Sequence, residues 1–123
     1  MERGHKERST MSNESDLQEV EISIEDAREA IANKESLERL TDNPDFIRII
    51  REGYFEKEAI RLVSVKADPE MATDERQKQV LTAMDGIGSL RNYLRVIMIL
   101  GDNMEQTLKA DETTREELLS EQL

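Results

Sequence analysis

The stretch DPEMATDERQKQVLTAMDGIGSLRNYLRVIMIL, residues 68–100, decides the fold. Asp68-Pro69 ends any helix that precedes it, because proline disfavours the helical region for the residue before it. Thr73 is a favoured N-cap, with Asp74 and Glu75 at the positive end of a new helix. Val80, Ala83, Ile87, Leu90, Leu94 and Ile97 then alternate three and four residues apart, the a/d seam of about two and a half heptads. The spacing continues through Gly101, Met104 and Leu108, so the sequence predicts a long helix that bends at Gly101 and runs on.

Upstream, Asn43-Pro44 marks a second helix start: Asn caps, and Pro fits the first helical position, where a backbone N–H has no partner. This helix is predicted to reach about Ala67. Its apolar residues, among them Phe46, Ile49, Ile50, Tyr54, Phe55, Ile60, Leu62 and Val63, cover more than one narrow stripe, which calls for more than one neighbour. Two long helices joined by a short turn are antiparallel neighbours. A turn near residues 69–70 sets Gly53 level with Gly86, and Gly88 one step along. Glycine costs about 1 kcal/mol against alanine in a helix. Three glycines at one level (Gly53, Gly86, Gly88) therefore suggest a close approach of the two backbones.

The ends of the chain carry the charge. The net is −11, yet residues 44–100 hold nine basic and nine acidic side chains. Residues 11–43 hold three against ten, and residues 101–123 hold two against seven. Residues 1–22 are expected to be a disordered acidic segment, residues 23–110 a helical domain, and residues 111–123 an acidic tail, helical or not. Ser23-Ile-Glu-Asp26 has the spacing of a capping box, opening a helix from about 24 to 33. A short turn from Ser36 then places Leu37 and Leu40 inward, over the far end of the hairpin. Thr113 or Thr114 caps a last candidate helix with Leu118, Leu119 and Leu123 on a partial face. Met11-Ser-Asn-Glu is a second plausible translation start, since Lys6-Glu7 can be encoded by AAGGAG, a bacterial ribosome-binding sequence. The intact mass of the native protein tests this: a mass that includes residues 1–10 removes it.

Composition excludes several functions. There is no Cys, so disulfides and thiolate chemistry are absent, and His5 is the only histidine. A histidine triad and a multi-histidine metal site are excluded with it, and no Gly-rich phosphate loop occurs. Asp85-Gly-Ile-Gly88 lies inside the heptad seam. Glu56 with Glu58, and Glu116 with Glu117, do not share helix faces and read as solvated surface. No catalytic residue, cofactor site or metal site is expected. The acidic balance argues against direct binding of nucleic acid or an anionic membrane. The longest apolar run, Val96 to Leu100, is far short of the about 20 residues that a membrane span needs.

What remains is contact with other proteins. Tyr54 and Phe55 lie about 100° apart on an α-helix and cannot both face one core. Val96-Ile-Met-Ile-Leu100 wraps a whole circumference. Tyr54, Phe55, Val96, Met98 and Ile99 are the candidate protein-binding residues. Either other helices of the chain cover them, or a partner or a second copy does. Arg48, Arg51, Lys57 and Arg61 interleave with acidic residues and read as a mixed solvated face.

Leu37-Glu-Arg-Leu-Thr-Asp-Asn-Pro-Asp-Phe46, Glu52-Gly-Tyr-Phe55, Glu58-Ala-Ile-Arg-Leu62, Met84-Asp-Gly-Ile-Gly88, Arg91-Asn-Tyr-Leu94 and Thr114-Arg-Glu-Glu-Leu118 form a pattern that resembles small acidic helical proteins of tailed bacteriophages, over about residues 23–119. The resemblance implies a viral protein made in the host cytoplasm, there or in the virion. It carries no functional residues across. The expected fold is all-α: an antiparallel hairpin of two long helices, a short N-terminal helix packed on it, and an acidic C-terminal helix or tail. The expected function is non-enzymatic contact with phage structural proteins or with itself in virion assembly, as a scaffold-like, head, connector or tail-chaperone component. The alternative is an acidic inhibitor of a host protein, mimicry of DNA charge being one way it could act.

Overall fold

The computed structural model describes the backbone of residues 2–122 and the side chains of residues 13–121. The side chains of His5, Met11 and Leu123 lie outside the described residues. In order come α1 (Glu2–Thr41), α2 (Pro44–Phe46), a π-helix (Ile47–Glu58), α3 (Ala59–Ala67), a 3₁₀ turn (Pro69–Met71) and α4 (Asp74–Gln122). The fold is all-α, with no strand among the described residues. Packing groups the chain into two units, Glu35–Met98 and Met1–Lys34 with Ile99–Leu123.

In the unit Glu35–Met98 the caps form where the sequence places them. The Asn43 side chain accepts from the backbone N–H groups of Asp45 (2.9 Å) and Phe46 (3.2 Å), ahead of Pro44. Asp68 accepts from Glu70 N–H at 2.9 Å and Thr73 from Arg76 N–H at 3.3 Å. The turn is also tied from the side. Arg76 donates to the Glu70 carbonyl (2.6 Å), and the Gln77 amide donates to those of Lys66 (3.0 Å) and Met71 (2.7 Å). Leu62, Val80 and Ile87 are buried together, with Tyr54, Phe55, Ala59, Val65, Met71 and Met84 packed on them. Met84 takes the inward place expected for Ala83, which is exposed. Leu37 is buried as expected, but Leu40 is exposed.

The other unit pairs the first part of α1 with the last part of α4. Ile24, Ala27 and Ala30 are buried in it. From Asn13 to Lys34 its polar contacts run up α1 while their partners on α4 fall from Glu121 to Asp102. Asn13 meets Glu121, Glu21 meets Arg115, Ser23 donates to Asp111, and Arg28 meets Glu112. Lys34 then meets Asp102 (2.6 Å) and Glu105 (2.8 Å). The two segments are therefore antiparallel.

Three local expectations are corrected here. Residues 11–22 belong to α1. Leu17, Val20, Ile24, Ala27 and Ile31 are three, four, three and four residues apart and face inward as one stripe, which the acidic residues between them mask. Ser23 is an interior helix residue, its hydroxyl committed to Asp111. Thr113 and Thr114 start no new helix: their hydroxyls donate back to the carbonyls of Lys109 and Ala110 within α4.

The expected glycine contact is corrected too. A Cβ at Gly86 would meet the Tyr54 hydroxyl at an ordinary 3.4 Å, and one at Gly88 would meet nothing within 4 Å. At Gly53 the nearest atom is the Arg48 carbonyl oxygen of the same helix, at 3.1 Å. The close approach is at Gly101, where a Cβ would clash with the Cβ and stem of Lys34.

Two predictions follow from this packing. Gly88→Ala adds helix propensity in open space and should raise Tm by a few degrees, equivalent to about 1 kcal/mol. Gly101→Ala has the same propensity gain but should lower Tm, because the Lys34 stem must move. Thermal melts followed by circular dichroism compare them, and rises of equal size would rule out the close approach. Hydrogen bonds to Asp102 and Glu105 hold the Lys34 ammonium well above its ordinary pKa of 10.5, against a smaller opposing effect of burial. A raised folded pKa gives stabilisation that is complete below the unfolded value and fades as pH rises through the folded one. The Tm gap between the native chain and Lys34→Met should stay constant from neutral pH to about 10 and narrow only above it. A gap that closes on the neutral side of pH 9, roughly, would assign the effect to other groups.

Candidate functional site

The sequence from Ile47 to Glu58 winds as a π-helix, far longer than the single turns in which this geometry usually occurs. Its apolar spacing gives the reason. Phe46, Ile50, Phe55 and Ala59 are four, five and four residues apart, and all are half-buried. An i→i+5 winding holds more residues per turn than the 3.6 of an α-helix, so this longer spacing becomes one stripe.

The same winding brings successive side chains closer in angle. Tyr54 and Phe55 both pack on the Leu62–Val80–Ile87 cluster, with ring centroids 5.9 Å apart and planes tilted by 42°. The two rings share one core, and Phe55 in addition meets a second surface, the groove it lines with Leu37 and Thr41 of α1. Gly53 belongs to this device: its missing Cβ leaves room for the carbonyl of Arg48, five residues back.

Beside this stripe, within the unit Glu35–Met98, lies an open groove with a cavity volume of about 450 Å³. Leu37, Phe46, Phe55, Leu94 and Met98 supply its apolar surface. Arg51, Arg91 and Arg95 stand on its walls with Thr41 and Glu56. Arg91 and Arg95 also border a shallower depression with Gly88 and Asn92. The three arginines are exposed. In a chain with 28 acidic residues none of them forms an ion pair among the described residues. Arg61 differs. Its Nε donates to both Glu58 oxygens at 3.0–3.1 Å and its Nη2 to Oε1 at 2.5 Å, which holds the Glu58 carboxyl below its ordinary range and raises Arg61 further.

Of the five candidate contact residues, Phe55 and Met98 line the groove and Tyr54 packs on the cluster behind it. Val96 and Ile99 are 49% and 48% exposed. In the unit Glu35–Met98 the side chains of Ile49, Ile60, Val63, Leu81 and Tyr93 are also largely exposed.

Reading the sequence misses the arginines of the groove. The signal is present: Arg91 and Arg95 are four apart, a like-charge pair that opposes the helix and has no carboxylate beside it. Among the described residues no three His, Cys, Asp or Glu side chains are placed to hold a metal ion, and no buried side-chain polar atom lacks a partner. Among the described residues no helix is long and apolar enough to cross a membrane. Compared with known proteins, the chain matches no family model, no curated protein and no solved structure.

Proposed function

We propose that this protein is a non-enzymatic component that works by protein–protein contact, and that its setting is virion assembly of a tailed bacteriophage. The observation that carries the contact reading is apolar surface left uncovered beside a small core. Val96, Ile99, Leu100 and Tyr93 remain 44–63% exposed on α4, and within the unit Glu35–Met98 an open groove is lined by aromatic and aliphatic side chains. Isolated exposed apolar residues are common, but clusters of them mark interaction sites. The phage setting rests on the resemblance of the sequence pattern. In this reading the working form is an antiparallel helical hairpin whose acidic ends keep it dispersed until a head, connector or tail subunit covers its apolar surface, in the host cytoplasm or the particle.

The acidic inhibitor is the second reading, and one observation favours it. DNA mimicry needs carboxylates in ordered rows on rigid elements, and the surplus charge lies on helices. Residues 1–34 with 99–123 hold seven basic against sixteen acidic side chains, largely within α1 and α4.

Capture from phage-infected cells with a C-terminally tagged copy, read by mass spectrometry, separates the two. Recovery of portal, capsid or tail subunits is expected. Val96→Asp with Ile99→Asp should reduce that recovery while leaving the melting curve unchanged, since both side chains are half in water already. Recovery of a host polymerase, nuclease or defence protein without virion proteins, with strong salt dependence, would replace the assembly reading by the inhibitor.

A further inference from the structure

We infer that the groove of the unit Glu35–Met98 takes an acidic amphipathic helix from a partner protein; the inference rests on the protein-contact reading and adds the chemistry of the partner. Two features of the groove select that occupant. Its apolar surface, with Phe55, Leu94 and Met98 from two different helices, has the volume of a site for a few anchoring side chains. Aliphatic residues at i, i+3 or i+4, and i+7 of a docking helix would fill it. Its walls carry Arg51, Arg91 and Arg95 against the single carboxylate of Glu56, and none of the three forms an ion pair among the described residues. Guanidinium groups recognise carboxylates by paired hydrogen bonds, so Glu or Asp beside those anchors completes the match.

The complementarity is local. The chain as a whole carries −11, and three arginines around an aromatic floor are no phosphate track, so a nucleic acid is disfavoured. A second copy is disfavoured by the same net charge. Its acidic segments also have their apolar faces occupied already, with Ile24, Ala27 and Ala30 buried inside their own unit.

The test uses the full chain and a fluorescein-labelled peptide with Leu at helical spacing and Glu elsewhere, followed by fluorescence anisotropy. A scrambled peptide of the same composition, which has no apolar stripe, is the control. Binding of the first peptide, weakening with salt and exceeding that of the scrambled one, is expected. Arg91→Glu with Arg95→Glu should weaken it by about tenfold or more, the effect of losing one charge-assisted contact. Arg91→Gln with Arg95→Gln, which removes charge without reversing it, should fall between. Circular dichroism confirms that these exposed positions leave the helices intact. No binding, equal binding of the scrambled peptide, or indifference to both arginine pairs would overturn the inference. So would sedimentation showing that the arginines hold copies of the chain together while the peptide does not compete. Protein capture that survives the arginine changes but is lost with Val96→Asp and Ile99→Asp would sink the groove assignment alone and leave the protein-contact reading standing.

Discussion

Burial of Leu62 against Val80 and Ile87 is the interaction on which residues 35–98 depend. Each such side chain contributes about 2 kcal/mol when taken out of water. Few side chains in this unit are buried as fully, so the half-buried shell of Tyr54, Phe55, Ala59, Val65, Met71 and Met84 has to stay in phase with it. That requirement explains the two backbone features of the unit. Caps at Asn43, Asp68 and Thr73 fix where the helices start. Between Ile47 and Glu58 the backbone gives up α-helical winding to keep the apolar stripe facing the cluster.

Much of this is legible in the sequence. The breaks at Pro44 and Pro69 and the seam from Val80 through Leu90 and Leu94 to Ile97 follow from capping chemistry and 3–4 spacing, both local rules. Seam members beyond Gly101 are found inward where the spacing puts them: Met104 and Leu108 are half-buried. What escapes is geometry that depends on a change of period. The four–five–four spacing of Phe46, Ile50, Phe55 and Ala59 is plain once a π-helix is considered, yet α-helical rules read it as several stripes. The stripe from Leu17 to Ile31 is hidden for another reason: composition alone assigns an acidic stretch to disorder, and spacing decides otherwise. Gly101 is read as a bend because its neighbour, Lys34, is 67 residues away in sequence and no local rule connects them.

Charge is organised by purpose as much as by quantity. In the unit formed by residues 1–34 with 99–123, Arg28, Lys34 and Arg115 each face carboxylates on the opposite helix. Such exposed pairs contribute little each, but they align two helices whose buried residues include two alanines. In the unit Glu35–Met98 the groove differs: Arg51, Arg91 and Arg95 form no ion pair among the described residues, although Glu56 lines the same groove.

The π-helix also has a bearing on how the chain length is set. Adding one residue to an α-helix turns everything after it by about 100°, which would carry Leu62 off the core. A π turn absorbs such a residue without that rotation. The segment Ile47–Glu58 is therefore a reserve of chain: a residue can be taken out of it, the turn closing to α geometry, with Ala59–Ala67 left in register. Chains that share this packing need not agree in length between Asn43 and Ala59, and an alignment gap there would mark conserved structure, not its loss.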